Sequence, residues 1–416
     1  MRSSKMFLRA LGVERAVMED CVFETQSSGQ LAAVVRVHPI AKEQGRCVVC
    51  GHRCPGYDRG DGLRRWRAVD LGLYATFLEA EAPRVNCPRH GVGVQRVPWA
   101  RAGSGFVYAF EDLCAWMAVR TDKTTLSTLL RIAWRTVGAI VERVANAALA
   151  QFDPLQGLLR IGIDEVAYRK GHHYLTVVVD HDTGRLLWAS PGRNEKTLHT
   201  FFDALGPARC AQLKLVSADA ASFIANVVKE RCPQAVLCLD PFHIVKWATE
   251  ALDEVRRDVW NQLRREGKKE EAQTLKRSRW ALWKNPENLT DKQRIKLSDI
   301  EKNNQPLFRA YLLKEQLREV FAYSGGYARV QLQGWLTMAA RSGLAPFIML
   351  AKSIRTHQAG IDAALVHGLS NARVESANNK LRLLTRLAFG FHSPAPLIAL
   401  ALLKLGGLCP PLPGRL

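Results

Sequence analysis

Residues 158–169 read LLRIGIDEVAYR, residues 172–182 HHYLTVVVDHD and residues 184–192 GRLLWASPG. These are three apolar runs separated by turn signals, a pattern that predicts an antiparallel meander. The period then changes. NEKTLHTFFDALG (194–206) predicts a short amphipathic helix, LKLVSADA (213–220) a fourth strand, ASFIANVVKERCP (221–233) a helix and AVLCLDPFHI (235–244) a fifth strand. Asp164 and Glu165 close the apolar run of the first strand, and Asp219 closes the fourth. From 244 to about 368 the sequence is helical and basic without strand alternation, and from Leu369 to about 404 it is helical again.

Three strands, helix, strand, helix, strand is the order of a ribonuclease-H-like α/β domain. In such a sheet the first and fourth strands are neighbours, so the carboxylates of Asp164 and Asp219 are expected to converge. Glu375 lies in NARVESANNK (371–380), a polar face opening an otherwise apolar helix. A helix packed across the sheet would bring it to the pair. Two aspartates and a glutamate suit Mg²⁺ (or Mn²⁺), a hard ion that takes a few carboxylates and keeps waters and phosphate oxygens. Two such ions about 4 Å apart can serve both the attacking and the leaving oxygen of an in-line phosphoryl displacement. Each acid alone reads better as a strand-end turn residue or a solvated helix acid; their joint placement favours the metal.

Composition agrees with a nucleic-acid substrate. The 416 residues carry 59 Lys and Arg against 39 Asp and Glu, a formal net charge of +20. Such an excess favours a polyanion, because each cation placed at a phosphate releases condensed counterions. There is room for roughly two to four domains. No run of about 18 uncharged apolar residues exists, which predicts no membrane span, and the N-terminus lacks the pattern of a signal peptide. The ten cysteines crowd at Cys47, Cys50, Cys54 and Cys87 and are otherwise scattered. That distribution suits a reducing compartment and one metal site. The expected location is cytoplasmic, nucleoid-associated.

Upstream, residues 1–40 predict a short helix and two strands, VFETQ and LAAVVRVHP, joined by an SSG turn. Cys47-Val-Val-Cys50-Gly and Cys87-Pro-Arg-His90-Gly form two halves of a zinc knuckle. Cys47, Cys50, Cys87 and His90 would close a tetrahedral structural Zn²⁺ site, with Cys54 as an alternative ligand. Arg53, Arg59, Arg64, Arg65 and Arg67, between the halves, would offer phosphate contacts. RAGSG (101–105) reads as a linker. FEDLCAWMAVR, DKTTLSTLLRI and AWRTVGAIVERVANAALA then predict three helices of the helix-turn-helix type, with apolar residues recurring at three- and four-residue steps: Leu113, Trp116 and Met117 in the first, Leu126, Leu129 and Leu130 in the second, Val137, Ile140, Val141 and Val144 in the third. In that motif Trp134, Arg135 and Thr136, opening the third helix, would reach base edges or phosphates. An ordinary three-helix bundle gives the same periodicity.

Residues 158–245, Asp240-Pro-Phe-His243 and NARVESANNKLRLLTRLAFGF (371–391) resemble bacterial insertion-sequence transposases of the DDE type, the ISL-three group. The resemblance covers nearly the whole chain, with zinc head, helix-turn-helix and split catalytic domain in the family's order. It implies that Asp164, Asp219 and Glu375 are the catalytic triad, and that the helical block from about 250 to 365 interrupts the domain before the glutamate. Ala372 and Ser376 stand where the family pattern has glycine.

The expected architecture is multidomain α/β and α. It comprises a zinc-binding head over 1–100, a helix-turn-helix over 106–150 and a ribonuclease-H-like catalytic domain over 158–250. That domain is split by an all-helical insertion over 251–368, and its closing helix covers 369–404. Asp240 would orient His243 near the scissile phosphate, or the pair would merely cap the next helix. Asn378, Asn379, Lys380 and Arg382 would grip substrate phosphates. Basic residues interleaved with Trp260, Trp280 and Trp283 suit either a DNA groove or a solvated face over core tryptophans. The expected activity is binding of terminal inverted repeats, phosphodiester hydrolysis and strand transfer into target DNA, by a homo-oligomer assembled on DNA. Two rivals remain: a non-enzymatic DNA-binding regulator, and a nuclease or resolvase that cuts without joining.

Overall fold

A computed structural model of the chain describes residues 3–27 and 29–414. It divides into two compact units: residues 1–154 with 383–416, and residues 155–382.

The first unit opens with α1 (Ser3–Ala10) and the hairpin of β1 (Ala16–Thr25) and β2 (Leu31–Pro39). Of the expected SSG turn, Ser28 lies outside the described residues. Short β3 (Gly56–Asp58), β4 (Leu63–Leu71), β5 (Tyr74–Glu81), β6 (Arg84–Cys87) and β7 (Gly91–Val94) follow. They form two sheets: a four-stranded one ordered β1-β2-β5-β4, and a three-stranded one ordered β3-β6-β7. The cysteine-rich segment is therefore not a free-standing knuckle, because β4 and β5 complete the sheet begun by the N-terminal hairpin. Two of the arginines expected at phosphates are committed to this sheet. Arg65 Nε donates to Glu79 at 2.7 Å and its Nη2 to Glu24 at 2.8 Å, while Arg67 is buried and paired with Asp70.

Three helices come next: α2 (Tyr108–Ala118), α3 (Lys123–Leu130) and α4 (Trp134–Leu149). Asp122 caps α3 by accepting from the backbone N–H groups of Thr124 and Thr125, each at 2.9 Å. The buried face of α2 is Phe110, Glu111, Cys114 and Ala118, rather than Leu113, Trp116 and Met117. The reason is Glu111. Its fully buried carboxylate accepts from Ser104 Oγ at 2.7 Å, Arg101 Nη1 at 3.0 Å and Arg143 Nε at 2.7 Å. A charge taken from water must be paired, and this pairing turns α2 about its axis. It also fixes residues 101–105, which are an anchored turn and not a loose linker.

The second unit holds the strands read first: β8 (Arg160–Arg169), β9 (His173–Asp180) and β10 (Leu186–Pro191) form the antiparallel meander. Then come α5 (Glu195–Leu205), α6 (Pro207–Cys210), β11 (Leu215–Ala218), α7 (Ser222–Arg231) and β12 (Val236–Leu239). The sheet order is β10-β9-β8-β11-β12, with β11 parallel to both β8 and β12. Leu198, Phe201, Phe202, Ile224 and Val228 from α5 and α7 pack on this sheet.

After β12 the chain is helical: α8 (Pro241–Arg265), α9 (Lys269–Lys276), α10 (Arg279–Trp283), α11 (Asp291–Asn303), α12 (Gln305–Val320), α13 (Gly325–Ala340), α14 (Ala345–Thr356) and α15 (Gln358–His367). These helices share a second apolar core that includes Leu252, Leu317, Trp335 and Phe347. Trp260 and Trp283 pack against that core, so two of the three interleaved tryptophans are structural, whereas Trp280 is exposed. Last come α16 (Ala372–Leu387) and α17 (Pro394–Leu405), the latter packed against α4 in the first unit. No helix of the described residues is long and apolar enough to cross a membrane.

Candidate active site and metal centre

The register of β8 and β11 determines where the acids fall. Ser217 pairs with Gly162, so two residues further along each parallel strand come Asp219 and Asp164. Both are half-buried at the same sheet end. Burial raises the Asp164 carboxyl above its ordinary range, and the charge of Asp219 raises it further. Glu165 is affected more strongly: burial, then the charge of Asp219, push it to about 7. Its Oε2 lies 3.4 Å from Arg193, while its buried Oε1 has no hydrogen-bond partner. Acids crowded and desolvated in this way are short of positive charge, which is the condition a divalent cation relieves.

Helix α16 docks on this sheet end through its buried stripe Val374, Ala377 and Leu381, and through two asparagines. Asn378 Nδ2 donates to Asp164 Oδ2 at 2.7 Å, and the other oxygen of Asp164 accepts the Glu165 backbone N–H at 2.8 Å. Asn378 is 1% exposed, so it cannot reach out to grip DNA as the sequence suggested. Asn371 donates its backbone N–H to Asp240 Oδ1 at 3.1 Å and accepts from Ser217 Oγ. Ser217 in turn meets His181 Nε2 at 2.6 Å. Sequence reasoning missed Asn371, Ser217 and His181. The available signal was the spacing of Asn371 and Asn378, seven apart beside the apolar stripe of Val374, Ala377 and Leu381.

Glu375 sits between these asparagines, exposed. Among the described residues no side-chain hydrogen bond or ion pair joins it to either aspartate. Asp240 does not cap α8 with its side chain. Instead its Oδ2 lies 3.1 Å from His243 Nδ1, and that contact, with the charges of Asp219 and Asp164 adding to it, raises the His243 pKa. His243 thus belongs to the electrostatic neighbourhood of the aspartates. His172 and His173 lie at the β8–β9 turn, exposed.

In the first unit the ligand atoms of Cys47, Cys50, Cys87 and His90 all lie within 4.8 Å of one another. Cys50 and Cys87 sulfurs are 3.7 Å apart, and His90 Nδ1 is 3.5 Å from Cys87 and 3.7 Å from Cys47. With Zn–S bonds of about 2.3 Å and Zn–N of about 2.0 Å, a tetrahedron has edges of about 3.8 Å and about 3.5 Å. The four side chains therefore fit Zn²⁺. Backbone N–H groups at Arg89 and His90 help lower the Cys87 thiol to about 7, towards the thiolate a metal needs. Gly51 and Gly91, one after each half, adopt φ of +69° and +71°, which favours glycine. Cys54 is outside the set, its thiol directed at the carbonyl of His52 at 3.4 Å.

Comparison with known proteins follows the same three parts. The DDE transposase family ISL3, described as "Transposase", matches residues 161–401, more than half of the chain. The chain belongs to the ISL3 family of transposases. The helix-turn-helix domain of that family matches residues 95–145, and the zinc finger of transposases of IS204, IS1001, IS1096 and IS1165 matches residues 43–90. The transposase is 52% identical over 436 aligned positions to the transposase for insertion sequence element IS1557 of Mycobacterium tuberculosis, covering 100% of this chain and 98% of that protein. It is 29% identical over 361 positions to the transposase for IS1001 of Bordetella parapertussis, covering 86% and 88%.

Residues of this transposase expected at DNA differ in availability. Trp134 and Arg135 are exposed and Thr136 is half-buried; Lys123 Nζ stands 4.4 Å from the Trp134 ring centre. Asn379, Lys380 and Arg382 are exposed along α16, with Arg382 Nη1 donating to Asn379 Oδ1 at 2.9 Å.

Proposed function

We propose that this transposase binds the terminal inverted repeats of its own insertion sequence, hydrolyses a phosphodiester at the element end and joins the freed end to target DNA. In this reading the second unit is a ribonuclease-H-like domain split by the helical segment after β12, and α16 closes it. Asp164, Asp219 and Glu375 hold Mg²⁺ or Mn²⁺. The observation that carries the reading is that Asp164, on β8, and Asp219, directly after the adjacent parallel β11, fall at the same sheet end, with α16 bonded to Asp164 through Asn378.

When bound, such ions supply charge stabilisation for both oxygens of an in-line displacement. The protein's own groups do the rest. Asp164 is oriented by two hydrogen bonds, so one lone pair on each oxygen stays directed by the fold. His243 has Nδ1 engaged by Asp240, which leaves Nε2 as the ring atom for a phosphate oxygen or a water. Water cleaves the end and leaves a 3′-hydroxyl and a 5′-phosphate. That hydroxyl then attacks a target phosphodiester, forming a new 3′–5′ link and releasing a target 3′-hydroxyl. Trp134, Arg135 and Thr136 read the repeat, while Lys380, Asn379 and Arg382 hold phosphates. Joining two ends calls for a homo-oligomer on DNA.

The test uses 5′-labelled duplexes ending in the flanking repeats, a target plasmid, and Mg²⁺ or Mn²⁺. The parent should yield both cleaved and joined products, and Asp164→Asn neither. Cleavage without joining in both metals would favour the nuclease reading. Cleavage unaffected by Asp164→Asn would leave only a DNA-binding regulator.

A further inference from the structure

Asn378 and Asn371 do more than fill the interface of α16. Asn378 is all but inaccessible: its Nδ2 is spent on Asp164, on a strand 214 residues away in sequence, and its buried Oδ1 has no hydrogen-bond partner. Asn371, 2% exposed, ties the start of the same helix to three strands: to Asp240 beyond β12, to Ser217 in β11 and, through Nδ2, to the Ile163 carbonyl of β8 at 3.4 Å. At 100° per residue, positions 371, 375 and 378 fall within about 60° of one helix face. Glu375 is therefore bracketed by two anchors, four residues after one and three before the other.

We propose that Asn371 and Asn378 are positioning residues of the divalent-metal site. They clamp α16 to the sheet so that Glu375 and one fixed rotamer of Asp164 are presented together. The inference rests on the metal-site reading above. Its chemistry is that of a side-chain amide orienting a carboxylate ligand, where losing the partner weakens metal binding without removing a ligand. Asp240 extends the clamp. One of its oxygens takes the Asn371 N–H and the other holds His243, so helix position and imidazole orientation depend on a single carboxylate.

The test measures Mn²⁺ binding to the full chain without DNA, by the loss of the free-ion electron paramagnetic resonance signal. The variants are Asn378→Leu, which keeps the branched shape but loses the donor, and Asn378→Ala, which avoids the crowding that the bulkier methyl groups bring. Asp164→Asn is run beside them, and zinc content and circular dichroism report folding. Mn²⁺ affinity should fall about 10- to 100-fold in whichever Asn378 variant keeps the parent spectrum, with the half-saturating metal for cleavage rising in parallel. Affinity within about twofold of the parent in a folded variant, while Asp164→Asn loses binding, overturns the positioning role alone. If Asp164→Asn also binds Mn²⁺ like the parent, the metal-site reading itself falls.

Discussion

Val374 lies so close to Gly162 that a Cβ on the glycine would overlap its Cγ2. The same Cβ would sit 2.9 Å from His181 Nε2 and 3.0 Å from Ser217 Oγ. The missing side chain in β8 is therefore the seat of α16. Gly162→Ala should force the helix outward and break the His181–Ser217–Asn371 chain. Overpacking of this kind costs about 1–3 kcal/mol, read as a lower unfolding midpoint, and cleavage should fall more steeply than stability because α16 carries Glu375. An alanine variant with parent stability and activity would show that α16 does not depend on the close approach of Val374 to Gly162.

Glu375 is the acid whose role leans most on its docking. Glu375→Gln should leave binding to end-containing duplex intact while abolishing both cleavage and joining. Glu375→Asp, with a shorter reach, should retain a small fraction of activity. Gel-shift and product assays on the same preparations separate the two effects. Full cleavage by the glutamine variant would remove Glu375 from the site and turn attention to Glu165, which feels the charges of Asp219 and Asp164.

Much of this was legible in the sequence for a physical reason. Strand periodicity, helix periodicity and the paired CxxC and CxxH halves are local signals, and they located every strand of the five-stranded sheet and the four side chains, Cys47, Cys50, Cys87 and His90, that the fold gathers. What escaped depends on contacts between distant segments. Asn378 looked like a phosphate ligand because a polar residue on a basic helix usually faces water. Only the approach of β8 to α16 shows that its Nδ2 is taken by Asp164. RAGSG looked like a linker because glycine and serine usually mark one, whereas Ser104 and Arg101 are held by an acid on the next helix. Buried ionic partners leave no periodic trace.

That acid gives a prediction of its own. Glu111 is buried against Arg101, Arg143 and Ser104. Removing one member of a buried ion pair costs about 3–5 kcal/mol, and here the cost falls to the low end because Arg101 keeps Asp112 and Arg143 is partly exposed. Glu111→Ala should therefore lower the unfolding midpoint sharply and expose residues 101–105 to protease. Glu111→Gln should do so less. A midpoint unchanged in both variants would show that the turn is held by other contacts.

Zinc loading should separate ligands from bystanders among the cysteines. One equivalent of zinc should be released by a strong chelator or by a thiol-modifying reagent, and repeat binding should fall with it. Cys87→Ser and His90→Ala should each lose the metal and melt the β3-β6-β7 sheet, since that small unit has little apolar core beyond its own cysteines and Val85. Cys54→Ser should keep a full equivalent, because its sulfur points at the His52 carbonyl rather than into the ligand set. Metal content by mass spectrometry of the purified variants decides the matter. If Cys54→Ser loses zinc while His90→Ala keeps it, the ion is held by four thiolates and His90 is only a neighbour.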